Sequence, residues 1–152
     1  MARLSDLPAA TAKRYAELEC PTFATTPWVN GPPLAERRVA IVSSAGLVVR
    51  GEKPFRGRDA DYRVIPSETR PEQLMFSHIS INLDRSGFQE DWNVVFPLDR
   101  LRELAAEGVI GSVAATHFFM GATDPVQMED YARDVAARLK SDGVDAVLLS
   151  PV

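Results

Sequence analysis

The chain has 152 residues, about the length of one compact domain and long enough to bury a core without a disulfide or a metal. It is 45% hydrophobic and 25% charged, and 17 basic against 21 acidic residues give a net charge of −4 and a pI near 5.2, a balance that argues against a nucleic-acid-binding face. Its single Cys20 excludes an intramolecular disulfide and a cysteine-only metal site, and neither a membrane span nor a signal-peptide core is visible, so a cytoplasmic protein without membrane partners is expected.

Taken in chain order, Ser5 to about Glu19 reads as a helix, with Pro8 suited to its first turn and Thr11, Tyr15 and Leu18 making a modest apolar stripe. From Cys20 to Pro33, four prolines oppose regular structure. Phe23 and Trp28 make this stretch an ordered arm, laid over the core or over a second subunit. Val39 to Val42 is a short apolar run, the pattern of a strand buried on both faces. Ser43-Ser44-Ala45-Gly46 follow at its carboxyl end, where open α/β sheets bind ligands. Tyr62 to Ile65 is a further short strand stopped by Pro66. Met75 to Leu83 alternates as a strand, with His78, Ser80, Asn82 and Asp84 on its polar face.

Two helices follow with clear punctuation. One begins at Pro97, carries Leu98, Leu101, Leu104 and Ala105, and stops at Gly108, with Asp99 in the dipole-favoured first turn. The other has Thr123 as its N-cap and Pro125 behind it, a stripe of Met128, Tyr131, Ala132, Val135, Ala136 and Leu139, and a stop at Gly143. Ile110 to Phe119 between them is apolar enough for a strand, and Asp145 to Leu149 reads as a second fully buried strand. The alternation predicts an α/β fold, a Rossmann-like or flavodoxin-like, mostly parallel sheet with flanking helices. Residues 1–36 form the N-terminal helix and proline-rich arm, and 37–152 the α/β domain.

The common glycine-rich phosphate, zinc-protease and serine-hydrolase motifs are absent. Candidate chemistry therefore rests on position. Ser43 and Ser44 at the strand end can hold a carboxylate or cap a turn. The row through His78 can exchange protons with a small polar ligand, join Asp91 and His117 in a metal-dependent hydrolase, or be a solvated sheet face. His117, beside Phe118, Phe119 and Met120, is more simply a structural histidine, and Cys20 a structural thiol. Arg50, Arg56, Arg58 and Arg63 form a cationic stretch, either an anion site or scattered surface charge.

Several blocks occur together: Glu19-Cys20-Pro21-Thr22-Phe23, Thr26-Pro27-Trp28, Val39 to Gly46, Tyr62-Arg63-Val64-Ile65-Pro66, Ser77-His78, the VFPLDRL run from Val95 to Leu101, the GVIGSVA run from Gly108 to Ala114, and Gly143 to Leu149. With these the chain resembles, over nearly its whole length, the amino-terminal part of the glycine/sarcosine/betaine reductase component B and D-proline reductase selenoproteins. The resemblance implies reductive cleavage of a carbon–nitrogen bond in a small amino acid or betaine-like amine. It also implies a selenocysteine or cysteine nucleophile almost directly after the strand ending at Leu149, and pyruvoyl-bearing partner subunits in some members. The chain ends at Val152 without that nucleophile, so the expectation is an amino-terminal fragment, inactive alone, cut where a codon for selenocysteine was read as stop. No cofactor or metal is expected in this chain. His78 and Asp84 are the expected catalytic residues, one managing protons and the other orienting it or neutralising an ammonium, and Ser43 and Ser44 the substrate-binding ones. The alternative is a non-catalytic binding or assembly module, contacting complex subunits or a second copy through the arm.

Overall fold

The computed structural model describes residues 3–18, 22, 24, 26, 28–80 and 85–152. Its centre is β1 (Arg38–Ser43), the apolar run expected to be buried on both faces. β7 (Ala146–Ser150) pairs with β1 in parallel from Val39↔Ala146 to Ser43↔Ser150. Because β7 occupies one side of β1, the other side is shared in succession by β5 (Ser112–Val113) and β6 (Thr116–Met120), both parallel to β1. β3 (Tyr62–Pro66) adds to the far side of β6, antiparallel. A separate antiparallel pair joins β2 (Leu47–Val49) to β4 (Leu74–Phe76).

Side chains alternate across β1 and β6, so the sheet has a core on each face. Val39, Ile41 and Phe119 point to one cluster, which holds Phe96 and is covered by Leu98 and Leu101 of α3 (Leu98–Ala106). Ala40, Phe118 and Met120 point to the other, covered by Val135 and Leu139 of α4 (Pro125–Ser141). A mostly parallel sheet with a helix on each face is the α/β architecture that the alternating pattern predicts. Asp99 in the first turn of α3 ties the helix to the preceding loop: its carboxylate accepts from Trp92 Nε1 (2.8 Å), Asn93 Nδ2 (3.0 Å) and Arg102 (2.8 Å).

Five expectations need correction. The first helix is divided: a single 3-10 turn spans Leu4–Asp6, and α1 (Ala9–Ala16) starts only after Pro8, fully on the surface. The cap of α4 is Asp124, not Thr123, its carboxylate accepting from Val126 N–H at 2.9 Å. The expected strand over 110–119 is broken at 114–115, where Ala115 turns its carbonyl to Ser67 N–H and its N–H to Asp142. The strand expected over 75–83 leaves its ladder at Phe76, because its partner β2 begins only at Leu47, after Gly46 has turned into the left-handed region (φ 71°). Ser77 still donates to Gly46 O at 2.8 Å, and α2 (Ser86–Glu90) follows later.

The fifth concerns β7, which is not fully buried. Among the described residues it has β1 as its one neighbour, and Leu149 is 69% exposed. In the N-terminal stretch Trp28 is 80% exposed rather than packed on the core. The arm expectations that fall on Cys20 and Phe23 lie outside the described residues. None of the described helices is long and apolar enough to cross a membrane.

Candidate functional site

A cavity of about 280 Å³ opens beyond the carboxyl ends of β1 and β6, the edge at which parallel sheets place ligands. β1 delivers Ser44 to it and β6 delivers Gly121. The segment leaving β4 supplies Ser77 and His78, and the loop after Phe55 supplies Arg58. Two close backbone approaches set its shape. A Cβ on Gly46 would fall 2.8 Å from the Cα of His78, and one on Gly121 would fall 1.9 Å from the carbonyl oxygen of Asp59. Only glycine admits chain crossings this tight.

Among the described residues the cavity lining holds no carboxylate, while Arg58 and His78 both border it. His78 stacks its imidazole on Phe76, ring centres 5.8 Å apart, and its carbonyl accepts from Arg85 at 3.3 Å. Ser77 clamps the neighbouring loop: its hydroxyl accepts from Phe55 N–H at 2.8 Å and donates to Phe55 O at 3.4 Å.

Ser44 and His78, assigned to the site from sequence, are thus brought together. Ser43 stands apart from them. It is 2% exposed, donates to Val95 O at 3.1 Å and accepts from Ala45 N–H at 3.2 Å, so its hydroxyl builds the turn that presents Ser44. Ser44 accepts from Val152 N–H at 2.9 Å and donates to Val152 O at 3.3 Å, which holds residue 152 against a lining residue of the cavity. Asp84 lies outside the described residues. The remaining members of the hydrolase alternative disperse: Asp91 accepts from Asn93 N–H, and His117 lies inside the sheet. Among the described residues, no three His, Cys, Asp or Glu side chains are grouped to hold a metal.

His117 is wholly buried, and burial, reinforced by the positive charge of Arg102, holds its pKa down to about 4. Its Nδ1 accepts from Ile41 N–H at 3.0 Å, a structural engagement, and it is not among the residues lining the cavity. Gly46, Gly121 and Ser77 were not singled out as site residues from sequence. The signal visible for the two glycines is modest: Gly121 directly follows the end of β6, and Gly46 directly precedes β2.

The family model for glycine/sarcosine/betaine reductase selenoprotein B matches residues 12–152. The D-proline reductase subunit gamma of Acetoanaerobium sticklandii is 36% identical over 121 residues, covering 77% of this chain and 49% of that protein. The betaine reductase complex component B subunit beta of Peptoclostridium acidaminophilum is 30% identical over 125 residues, covering 77% and 28%. The glycine reductase complex component B subunit gamma of Carboxydothermus hydrogenoformans is 28% identical over 144 residues, covering 88% and 32%. The match therefore spans half or less of the length of these curated relatives. No solved structure matches the chain significantly.

Proposed function

Because this chain belongs to the glycine/sarcosine/betaine reductase selenoprotein B family, we propose that it forms the substrate-side wall of a cytoplasmic reductase site. The reaction is reductive cleavage of a carbon–nitrogen bond in a small amino acid or betaine-like amine. In this reading the chain is the amino-terminal part of a longer subunit, and a selenocysteine or cysteine stands in polypeptide beyond residue 152. The observation that supports it is the contact of Val152 with Ser44, which sets residue 152 against a lining residue of the cavity at the carboxyl edge of the sheet.

The lining suits such a group. With Arg58 and His78 and no carboxylate among its described lining residues, it favours an anion over a cation. What a selenolate or thiolate supplies there is nucleophilic attack on carbon, because the ionised chalcogen is the reactive form. This chain's residues do the rest. His78 delivers a proton toward the departing amine. Ser44 offers its hydroxyl at the cavity mouth, and Ser43 holds the turn beneath it. Asp84 orients His78 or neutralises an ammonium. Partner subunits of a reductase complex complete the assembly, as the names of the relatives suggest.

The test is to sequence the gene beyond codon 152. A UGA codon followed by an open frame supports the reading, and another stop with no frame behind it sinks it.

A second reading has its own observation. Exposed Trp28 and Val29 border an apolar groove of about 560 Å³ together with Leu149 of the open β7 edge. Aromatic residues beside apolar grooves characterise subunit contacts, and this one suits a further subunit of the reductase complex. Size-exclusion profiles at two concentrations, with and without the separately produced partner subunits, decide it: a strict monomer that captures none of them excludes the contact.

A further inference from the structure

We propose that Arg58 is the anchor of the cavity, taking the carboxylate of a small ligand in its guanidinium fork. This deepens the reductase reading by assigning a substrate-binding residue, and rests on that reading only for the small size of the ligand.

Four arginines fall between residues 50 and 63, and the structure separates them. Arg63 is 8% exposed and fully engaged. It donates to Lys53 O (2.8 Å) and Tyr62 O (2.9 Å), pairs with Asp61 (3.0 Å) and lies over the Phe55 ring at 4.3 Å. Arg50 and Arg56 do not line the cavity. Arg58 does, and among the described residues its guanidinium has neither an ion pair nor a side-chain hydrogen bond.

Its backbone is as telling as its charge. Asp59 N–H donates to Arg56 O at 3.1 Å, and Arg56 N–H donates to the Asp59 carboxylate at 2.9 Å. These bonds close a turn with Gly57 and Arg58 at its centre. Arg58 has φ 71°, alone among described non-glycine residues in the left-handed region. Turns favour glycine at such a position, and an L-residue adopts it at a cost. Strain of this kind concentrates where a ligand is clamped. An unpaired guanidinium on a strained backbone, bordering a cavity whose described lining holds no carboxylate, is placed to meet a negative charge arriving with the ligand. Its planar fork matches a carboxylate's two oxygens.

The experiment titrates the chain with propionate, and in parallel with neutral propionamide, reading backbone amide shifts at Gly46, His78 and Gly121 by NMR. Wild type is expected to respond to propionate and not to propionamide. Arg58→Gly is expected to bind propionate about tenfold more weakly or worse while its Tm stays level or rises, because glycine relieves the backbone. Arg58→Lys keeps a point charge without the fork and should fall between them. Equal responses to acid and amide, wild-type affinity in Arg58→Gly, or a lowered Tm in that variant each overturn the proposal. No turnover is read, so a gene that ends at codon 152 defeats the reductase reading and leaves this test intact, and a failed titration leaves that reading standing.

Discussion

His117 places its Nδ1 3.0 Å from the backbone nitrogen of Ile41 and accepts its hydrogen bond. The contact repairs a break in the sheet. Ile41 N–H faces the interruption between β5 and β6, where Ala115 has turned its carbonyl away to Ser67. An imidazole ring stands in for the missing peptide oxygen, which requires Nδ1 to be unprotonated. The proton then sits on Nε2, which has no hydrogen-bond partner among the described residues, and the ring packs edge-on against Phe96.

Stability should therefore fall as pH drops from about 6.5 to about 4. In that window the unfolded chain binds a proton on His117, at its ordinary pKa of 6.5, that the folded chain refuses until about 4. The contribution is fully present above 6.5, is lost progressively below it, and amounts to about 3 kcal/mol for a shift of this size. The carboxylates with lowered pKa, Asp91, Asp99 and Asp134, begin to lose their contribution only near and below their ordinary 3.8, so they leave this window largely to the histidine. Urea unfolding at a series of pH values measures the slope, and His117→Phe should abolish it while costing about 2–4 kcal/mol at pH 7 for the orphaned Ile41 amide. An unchanged slope in that variant would refute the assignment.

Gly121→Ala should destabilise the fold by about 2–3 kcal/mol, because the new methyl meets the Asp59 carbonyl at 1.9 Å and the obstacle is backbone. The same displacement moves the 55–59 loop. A propionate titration of the variant should weaken along with its urea midpoint. Gly51→Ala is the control for position: it has open space around its Cβ, so its cost is confined to its positive φ of 98°.

How much of this was legible from residue order depends on whether a feature is local. The apolar run at Val39 to Val42 and the stripe of α3 report burial directly, whereas α4 stands near where expected but buries only Val135 and Leu139 of its stripe and leaves Tyr131, Ala132 and Ala136 exposed. Ser44 and His78 were likewise reachable, one from the strand-end rule and one as a rare titratable side chain. What escaped depends on contacts between distant segments. The end of β4 is fixed by Gly46, some thirty residues earlier, whose left-handed turn stops the partner strand. The Leu149 side chain looks like core in sequence, yet lies exposed because β7 pairs on one side among the described residues. Ser43 and Ser44 are indistinguishable in sequence, and strand alternation sends one hydroxyl to Val95 and the other to the cavity mouth.

That divergence makes the serine pair a sensitive comparison. Ser43→Ala removes a buried donor from Val95 O and a buried acceptor from Ala45 N–H, and should cost about 1–2 kcal/mol in urea unfolding. Ser150, which also donates to Val95 O at 3.4 Å, limits the loss. Ser44→Ala should cost less than about 0.5 kcal/mol because its partners lie near solvent. Equal costs would mean that the two hydroxyls share one role.

His78 carries the most direct functional prediction. Its ring stacks on Phe76, which itself lies 4.7 Å from Phe88, so an aromatic replacement preserves this small stack. His78→Phe therefore separates packing from proton chemistry in a way that His78→Ala does not. In the longer reductase subunit that we propose, produced from the gene with any frame beyond codon 152, both variants should lose about 10²–10⁴ in kcat, the usual share of a positioned acid or base. The Phe variant should keep wild-type Tm, since the imidazole is only partly buried. If His78→Phe turns over like the wild type, the imidazole serves only to pack on Phe76, and the proton must reach the departing amine from another group at the cavity or from solvent.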